Sequence, residues 1–160
     1  MLRPRVRWSL LVTALLLNAC VGPKSEGAKF RQMFLERGSW EGFSEELEKY
    51  PLEQQYEIFL YGMQKVHPPD SKAADTIAKR GKPAMDYVLR MVAASGKDMD
   101  YVDSLEIFEA MVRGRHYLVC ADIEAMEQIE ANGNKIAHED WRKYYQRDLQ
   151  RLKELCVRKR

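Results

Sequence analysis

The chain has 160 residues, 26 of them basic and 24 acidic, with a formal charge of +2; 46% are hydrophobic and 10% aromatic. That length supports one domain with a real core, and so many aromatic residues exclude a disordered chain. A charge this near neutral excludes the strongly basic balance of a nucleic-acid-binding domain.

The positive excess sits at the start. Arg3, Arg5 and Arg7 stand without a single acid in residues 1–19, and the run from Trp8 to Leu17 is apolar except for Ser9 and Thr13. A basic start, a short apolar run and a small residue before a cut are the marks of a secretory signal. The run is far shorter than the roughly 20 apolar residues of a membrane-spanning helix. Leu17-Asn18-Ala19-Cys20 follows it directly. These residues resemble the lipobox of bacterial lipoproteins, with Asn18 a less usual choice at its position. The resemblance implies that residues 1–19 are removed, that the thiol of Cys20 takes a diacylglyceryl group and that the new N-terminus is often acylated as well. The membrane is then one partner, held through acylated Cys20, and the covalent lipid replaces any cofactor. In lipoproteins of Gram-negative bacteria, Asp after the cysteine favours the inner membrane. Val21 here implies the outer membrane, with the domain facing the periplasm. In a host with one membrane, the anchor is its outer face.

Without the leader the basic residues fall to 23 against 24 acids, a net charge of −1. No nucleic-acid partner is expected. Arg158-Lys159-Arg160 is the only basic cluster, and it suits the end of a helix. Assigning Cys20 to lipid leaves Cys120 and Cys156, an even pair in an oxidising compartment. One disulfide is expected, worth roughly 3–4 kcal/mol in the chain-entropy model. Two buried free thiols are the alternative.

Residues 20–27 read as the lipidated cysteine and a short tether, and 28–160 as an all-α domain. The seven residues from Val21 to Gly27 span at most about 25 Å. A helix is expected over Ala28 to Arg37, with Phe30, Met33 and Phe34 on one face. Ser44 is expected to cap a short helix with Leu47 and Tyr50 inward. Pro51 opens a stronger one, whose stripe is Leu52, Tyr56, Phe59, Leu60, Met63 and Val66. Pro68 and Pro69 stop it near His67. Asp70 or Ser71 caps the next, Lys72 to Arg80. Pro83 starts a helix carrying Met85, Val88, Leu89 and Val92, and Gly96 ends it. Asp98 to Arg113 follows, with Val102, Leu105, Phe108 and Val112 in phase and Gly114 as the stop. Asp122 caps a helix with Ile123, Met126 and Ile129 inward, closed by Asn132-Gly133-Asn134. The last helix runs from His138 to Val157, with Trp141, Tyr145, Leu149, Leu152 and Cys156 on one face. No segment has a strand pattern.

Ile77-Ala78-Lys79-Arg80-Gly81-Lys82-Pro83-Ala84-Met85-Asp86-Tyr87-Val88-Leu89-Arg90 resembles the turn of a HEAT-like repeat. There Gly breaks one helix, Pro starts the next, and small Ala lets the two approach. The resemblance implies stacked helical hairpins; without a second copy of the motif it does not imply a full repeat array.

Chemistry-bearing patterns are sparse. His67-Pro68-Pro69-Asp70 pairs a base with an acid in a rigid loop. It reads first as a helix stop and cap, then as a recognition loop. His116 and Cys120 have the four-residue spacing of two ligands on one helix face, too few for a metal site. Glu45, Glu46 and Glu48 read as a solvated face. Phosphate-cradling glycine loops, Gly-x-Ser-x-Gly and Cys-x-x-Cys are all missing from the sequence. Tyr61, Tyr87 and Tyr144 fall off the apolar stripes and, exposed together, would mark a partner surface with His67 and Asp70. The expectation is a non-enzymatic interaction or adaptor module of the cell envelope with an envelope protein as partner. An immunity or inhibitor protein against a toxin or hydrolase is the alternative, and a cell-wall-acting enzyme the third reading.

Overall fold

A computed structural model describes residues 42–158. The leader, Cys20, the tether and the helix expected over Ala28 to Arg37 lie outside the described residues. The fold within them is all-α: α1 (Phe43–Leu47), α2 (Leu52–Lys65), α3 (Lys72–Ala78), α4 (Lys82–Ser95), α5 (Asp98–Gly114), α6 (Ile123–Asn132) and α7 (Glu139–Arg158), with short 3-10 turns at Val119–Ala121 and Gly133–Lys135. No strand occurs among the described residues.

Helix α1 begins one residue before Ser44. Gly42 takes the cap position at φ 71°, a left-handed value that favours glycine, and Phe43 and Leu47 are buried. Pro51 stands at the cap of α2 rather than inside it, with φ −62° and ψ 155°. Gln55, fully buried in α2, ties the corner together: its Nε2 donates to the carbonyls of Leu47 (3.0 Å) and Tyr50 (2.9 Å).

Gly62 lies inside α2, where glycine normally weakens a helix. Its reason is tertiary. The loop after Val66 folds back so closely that a Cβ at position 62 would stand 2.6 Å from the carbonyl oxygen of Asp70. The same approach lets the Asp70 amide donate to the Gly62 carbonyl at 3.0 Å.

The break between α3 and α4 follows the glycine–proline logic of its residues. Gly81 has φ 63°, and a Cβ there would meet the His116 carbonyl oxygen at 3.1 Å. Pro83 falls in the first turn of α4, and Ala84 is fully buried. In α3, buried Ala73, Ala74 and Ala78 leave room for the neighbouring α5.

Helix α5 is the centre of the domain. Eleven of its 17 residues are buried, and α2, α3, α4 and α7 all pack on it. Leu105, Ile107, Phe108 and Met111 fill the middle of the core with Phe59, Ile77, Met85 and Ile129. The helix runs one residue further than expected. Gly114 is the last helical residue, and Arg115 takes the left-handed position at φ 56°. The His116 amide then donates to Met111 (2.9 Å) and the Arg115 amide to Val112 (3.3 Å), the bond pattern of a Schellman ending.

In α6 the Asp122 cap forms, its carboxylate accepting from the Ala125 amide at 3.1 Å. The inward face is shifted from the expected one. Ala125, Ile129 and Asn132 are buried, whereas Ile123 is 73% exposed. Ile123 is the first residue of α6, ahead of the turns that meet the core.

Helix α7 lies against α5 and runs in the same direction. Asp98 at the start of α5 meets the start of α7: its two carboxylate oxygens accept from the amides of Ala137 (3.0 Å) and His138 (2.7 Å). Further along, Glu109 meets Arg151. Asp98 thus caps a helix 40 residues away in sequence. These two bonds hold its carboxyl below the usual carboxylate range. Buried Tyr145 donates its hydroxyl to the Ile129 carbonyl at 2.6 Å, joining α7 to α6.

Candidate functional site

A line of acids on α5 organises the most chemically varied surface. Asp100, Asp103, Glu106 and Glu109 recur every third residue. Three residues turn a helix through about 300°, so each acid lags the one before by about 60° and the line winds round the helix. Its start therefore meets α2 and its end meets α7. This spacing was legible in the sequence, but an apolar-stripe reading of α5 passes over it.

At the start, Gln64 of α2 donates through one Nε2 to Asp100 Oδ1 and Asp103 Oδ2, both at 2.8 Å. The Ser95 hydroxyl donates to the other oxygen of Asp100. Asp100 and Asp103 are buried. Burial is the main cause that pushes Asp103 up to about 6, and the nearby Asp100 and Glu106 charges add to it against the Gln64 bond. Tyr56, buried beside them, has a hydroxyl without a hydrogen-bond partner among the described residues. Its own ionisation is driven far up by burial and then by the two aspartates.

At the far end, Glu109 is 1% exposed and accepts from Arg151 Nε with both oxygens at 2.8 Å. Arg113 Nη1 stands 3.4 Å from it. Burial still holds the Glu109 carboxyl above its ordinary value, outweighing Arg151. A one-sided loss here would leave a buried charge uncompensated.

Between these ends an open cleft of about 410 Å³ runs between α2, α5 and α7. Met63, Val102 and Leu105 provide its apolar lining, with Asp103 and Glu106 on one side and Trp141, Tyr144 and Arg147 on the other. Trp141 and Tyr144 are neighbours at 5.7 Å between ring centroids, and the Arg147 guanidinium sits 5.1 Å over the Tyr144 ring. Arg147 is held by Asp148, at 2.9 and 3.3 Å. An apolar floor, a half-exposed aromatic and charges fixed by mutual pairing thus meet in one cleft. Ser104, the hydroxyl nearest the acids in sequence, donates to the Tyr101 carbonyl at 2.7 Å.

Of the residues singled out from the sequence, the cleft takes in Tyr144 and not Tyr61, Tyr87, His67 or Asp70. Tyr144 is 45% exposed and belongs to the cleft. Tyr87 is buried, edge-on to Tyr56 at 5.8 Å, with Arg90 over its ring. Tyr61 is half-buried on α2. His67 is exposed after a cis bond to Pro68. Asp70 is taken up by the chain: its Oδ1 accepts from the Lys72 amide at 2.9 Å and starts α3. His116 lies in the exposed turn after α5, and Cys120 in the 3-10 turn, so the two do not share a helix face. Among the described residues, no group of three or more His, Cys, Asp or Glu is placed to hold a metal ion.

Cys120 and Cys156 are joined in a disulfide, with 5.6 Å between their Cα atoms. The bond fastens the turn after α5 to the last turn of α7. An apolar groove of about 490 Å³ runs beside it.

Comparison with protein-family models, with curated proteins and with solved structures gives no match in any of the three. The reading of this chain therefore rests on its own residues. No helix of the described residues is long and apolar enough to cross a membrane.

Proposed function

We propose that the chain is a lipid-anchored protein of the cell envelope whose helical domain acts as a non-enzymatic interaction or adaptor module. Leu17-Asn18-Ala19-Cys20 after a basic and apolar leader supports the anchor. The cleft between α2, α5 and α7 supports the binding role. Its single most informative feature is the pair Trp141 and Tyr144, with Tyr144 half-exposed beside Arg147 at the rim. Tyrosine, tryptophan and arginine are the residues that anchor protein interfaces. An envelope protein is the partner this surface suits.

Two experiments test the two halves. Metabolic labelling with palmitate and membrane fractionation should show label and membrane retention for the parent chain and neither for Cys20→Ser. A labelled, membrane-bound Cys20→Ser chain would sink the anchor. In cells, a photoreactive residue at Tyr144 should capture one protein species, and Trp141→Ala should abolish that capture. Failure to capture protein at 144 while the chain is folded would overturn the adaptor role.

A further inference from the structure

We infer that the cleft between α2, α5 and α7 takes a basic side chain, lysine or arginine, from the partner protein, with its stem along the apolar floor and its head on Asp103 and Glu106. The inference rests on the adaptor reading above and deepens it, by giving the chemistry of the partner.

The charges around the cleft do not cancel. Asp103, Glu106 and Asp148 line it, against Arg147 and Arg151. Both arginines are already paired. Arg147 donates to Asp148 at 2.9 and 3.3 Å. Arg151 gives its short bonds, both at 2.8 Å, to Glu109. Arg113 stands nearer to Glu109 (3.4 Å) than to Glu106 (3.7 Å), and it also meets Asp75 at 3.7 Å. The other cations of these helices are engaged or lie elsewhere. Lys143 pairs with Glu139 at 2.8 Å, Arg142 donates to the Ile136 carbonyl at 2.7 Å, and neither Lys65 nor Lys97 lines the cleft. Pairing therefore leaves Asp103 and Glu106 over. Asp100, bound by the same Gln64 amide, adds further negative charge beside them.

The two acids also keep unused bonding capacity. Asp103 is 7% exposed; Gln64 engages its Oδ2, and its Oδ1 accepts no hydrogen bond among the described residues. The cations nearest Glu106 stand at 3.7 and 3.8 Å, beyond hydrogen-bond length, and its buried Oε2 has no donor among the described residues. The raised Asp103 carboxyl reflects the same shortage. Burial and the Asp100 and Glu106 charges push it up, and the Gln64 bond, not a cation, opposes them. A poorly compensated carboxylate is relieved by a cation that arrives with its own donors.

The lining selects the kind of cation. Met63, Val102 and Leu105 make an apolar floor, with Trp141 and Tyr144 on the wall opposite the acids. A lysine or arginine lays its methylene stem on such a floor while its head stays with the acids. Aromatic rings attract the same charge. A bare metal ion would leave the floor unused. An acidic or purely apolar segment would leave both carboxylates without a partner, and complementary charge is what chooses among partners of similar shape.

The test uses the full mature chain, labelled with nitrogen-15, and the probe peptide acetyl-Leu-Lys-Leu-amide at pH 7.5. The Trp141 indole and Tyr144 amide resonances report occupancy. Saturable shifts are expected. A peptide with norleucine in place of lysine keeps the stem without the charge and should bind about tenfold or more weakly, the loss of one charge-assisted hydrogen bond. Glu106→Gln and Asp103→Asn should each weaken the lysine peptide by a similar factor; both keep the shape of the side chain they replace. Glu130→Gln removes a negative charge outside the cleft, where Glu130 pairs with Lys153 at 2.7 Å, and should leave binding unchanged. No saturable shift with the lysine peptide, or norleucine binding as tightly, overturns the inference. So does an equal loss with Glu130→Gln, which is the mark of bulk charge. The adaptor reading is judged apart, by capture in cells through position 144. Protein captured equally with and without Glu106→Gln overturns only the basic partner, whereas no capture by either folded chain overturns the adaptor itself.

Discussion

Replacing Asp103 by Asn should stabilise the domain at neutral pH. Asp103 is 7% exposed, and its carboxyl is raised from 3.8 to about 6. A raised acid binds its proton more tightly in the folded than in the unfolded state, so stability falls as pH rises from the unfolded value through the folded one. About two units at roughly 1.4 kcal/mol each give a cost of about 3 kcal/mol at pH 7 relative to the protonated form. Asn has the shape of the neutral acid and still offers Gln64 an acceptor oxygen in place of the Asp103 Oδ2 bond at 2.8 Å. Part of the 3 kcal/mol should therefore be recovered. Urea unfolding of the mature chain should be followed between pH 4 and pH 8. The parent is expected to lose stability across about pH 4 to 6, in the window set by the raised Asp103 carboxyl, and Asp103→Asn should flatten that slope. A variant less stable than the parent at pH 7.5, or one with an unchanged slope, would refute the assignment of burial as the dominant influence on Asp103.

The disulfide closes a sequence separation of 36 residues, so Cys120→Ala with Cys156→Ala should cost about 4 kcal/mol in urea unfolding, by the chain-entropy relation. Thiol reagents should label neither residue in the native mature domain before reduction. Gly62→Ala should destabilise the domain by about 1–3 kcal/mol through overpacking, where helix propensity alone predicts a gain of about 1 kcal/mol. Thermal unfolding gives the sign. Asp98→Ala should speed hydrogen exchange at the amides of Ala137 and His138, which lose their acceptor. Since the Asp98 carboxyl lies below its ordinary value, its contribution is present above that value and is lost as pH falls through the folded one. The difference between parent and Asp98→Ala should shrink in strong acid.

The helices themselves were legible in the residues, because apolar spacing, proline and glycine act locally. Tyr56 and Phe59, Met85 and Val92, and Tyr145 and Leu152 are buried where the stripes place them. Counting cysteines made Cys120–Cys156 the expected bridge but left two free thiols as the alternative; their 5.6 Å Cα separation across the fold decides it. Position along the chain did not reveal which helix is central. The buried acids Asp103 and Glu109 drew no notice in the sequence, since their partners Gln64 and Arg151 come to them from other helices. Tyr87 falls off the apolar stripe of its own helix yet is buried, since the ring that meets its edge, Tyr56, comes from α2.

The sequence by itself thus determined the secondary structure and the turns. These depend on φ preferences, missing amide protons and side-chain periodicity within a few residues. It also carries Leu17-Asn18-Ala19-Cys20, whose resemblance to a lipobox is the ground on which the anchor is proposed. Only the tertiary structure decided what lies beside what. It set α5 parallel to α7, made Asp98 a cap for a distant helix, required glycine at position 62, and assembled Trp141, Tyr144, Asp103 and Glu106 around one cleft. Each depends on two segments far apart in the chain meeting at a fixed distance, and no local residue preference encodes that distance.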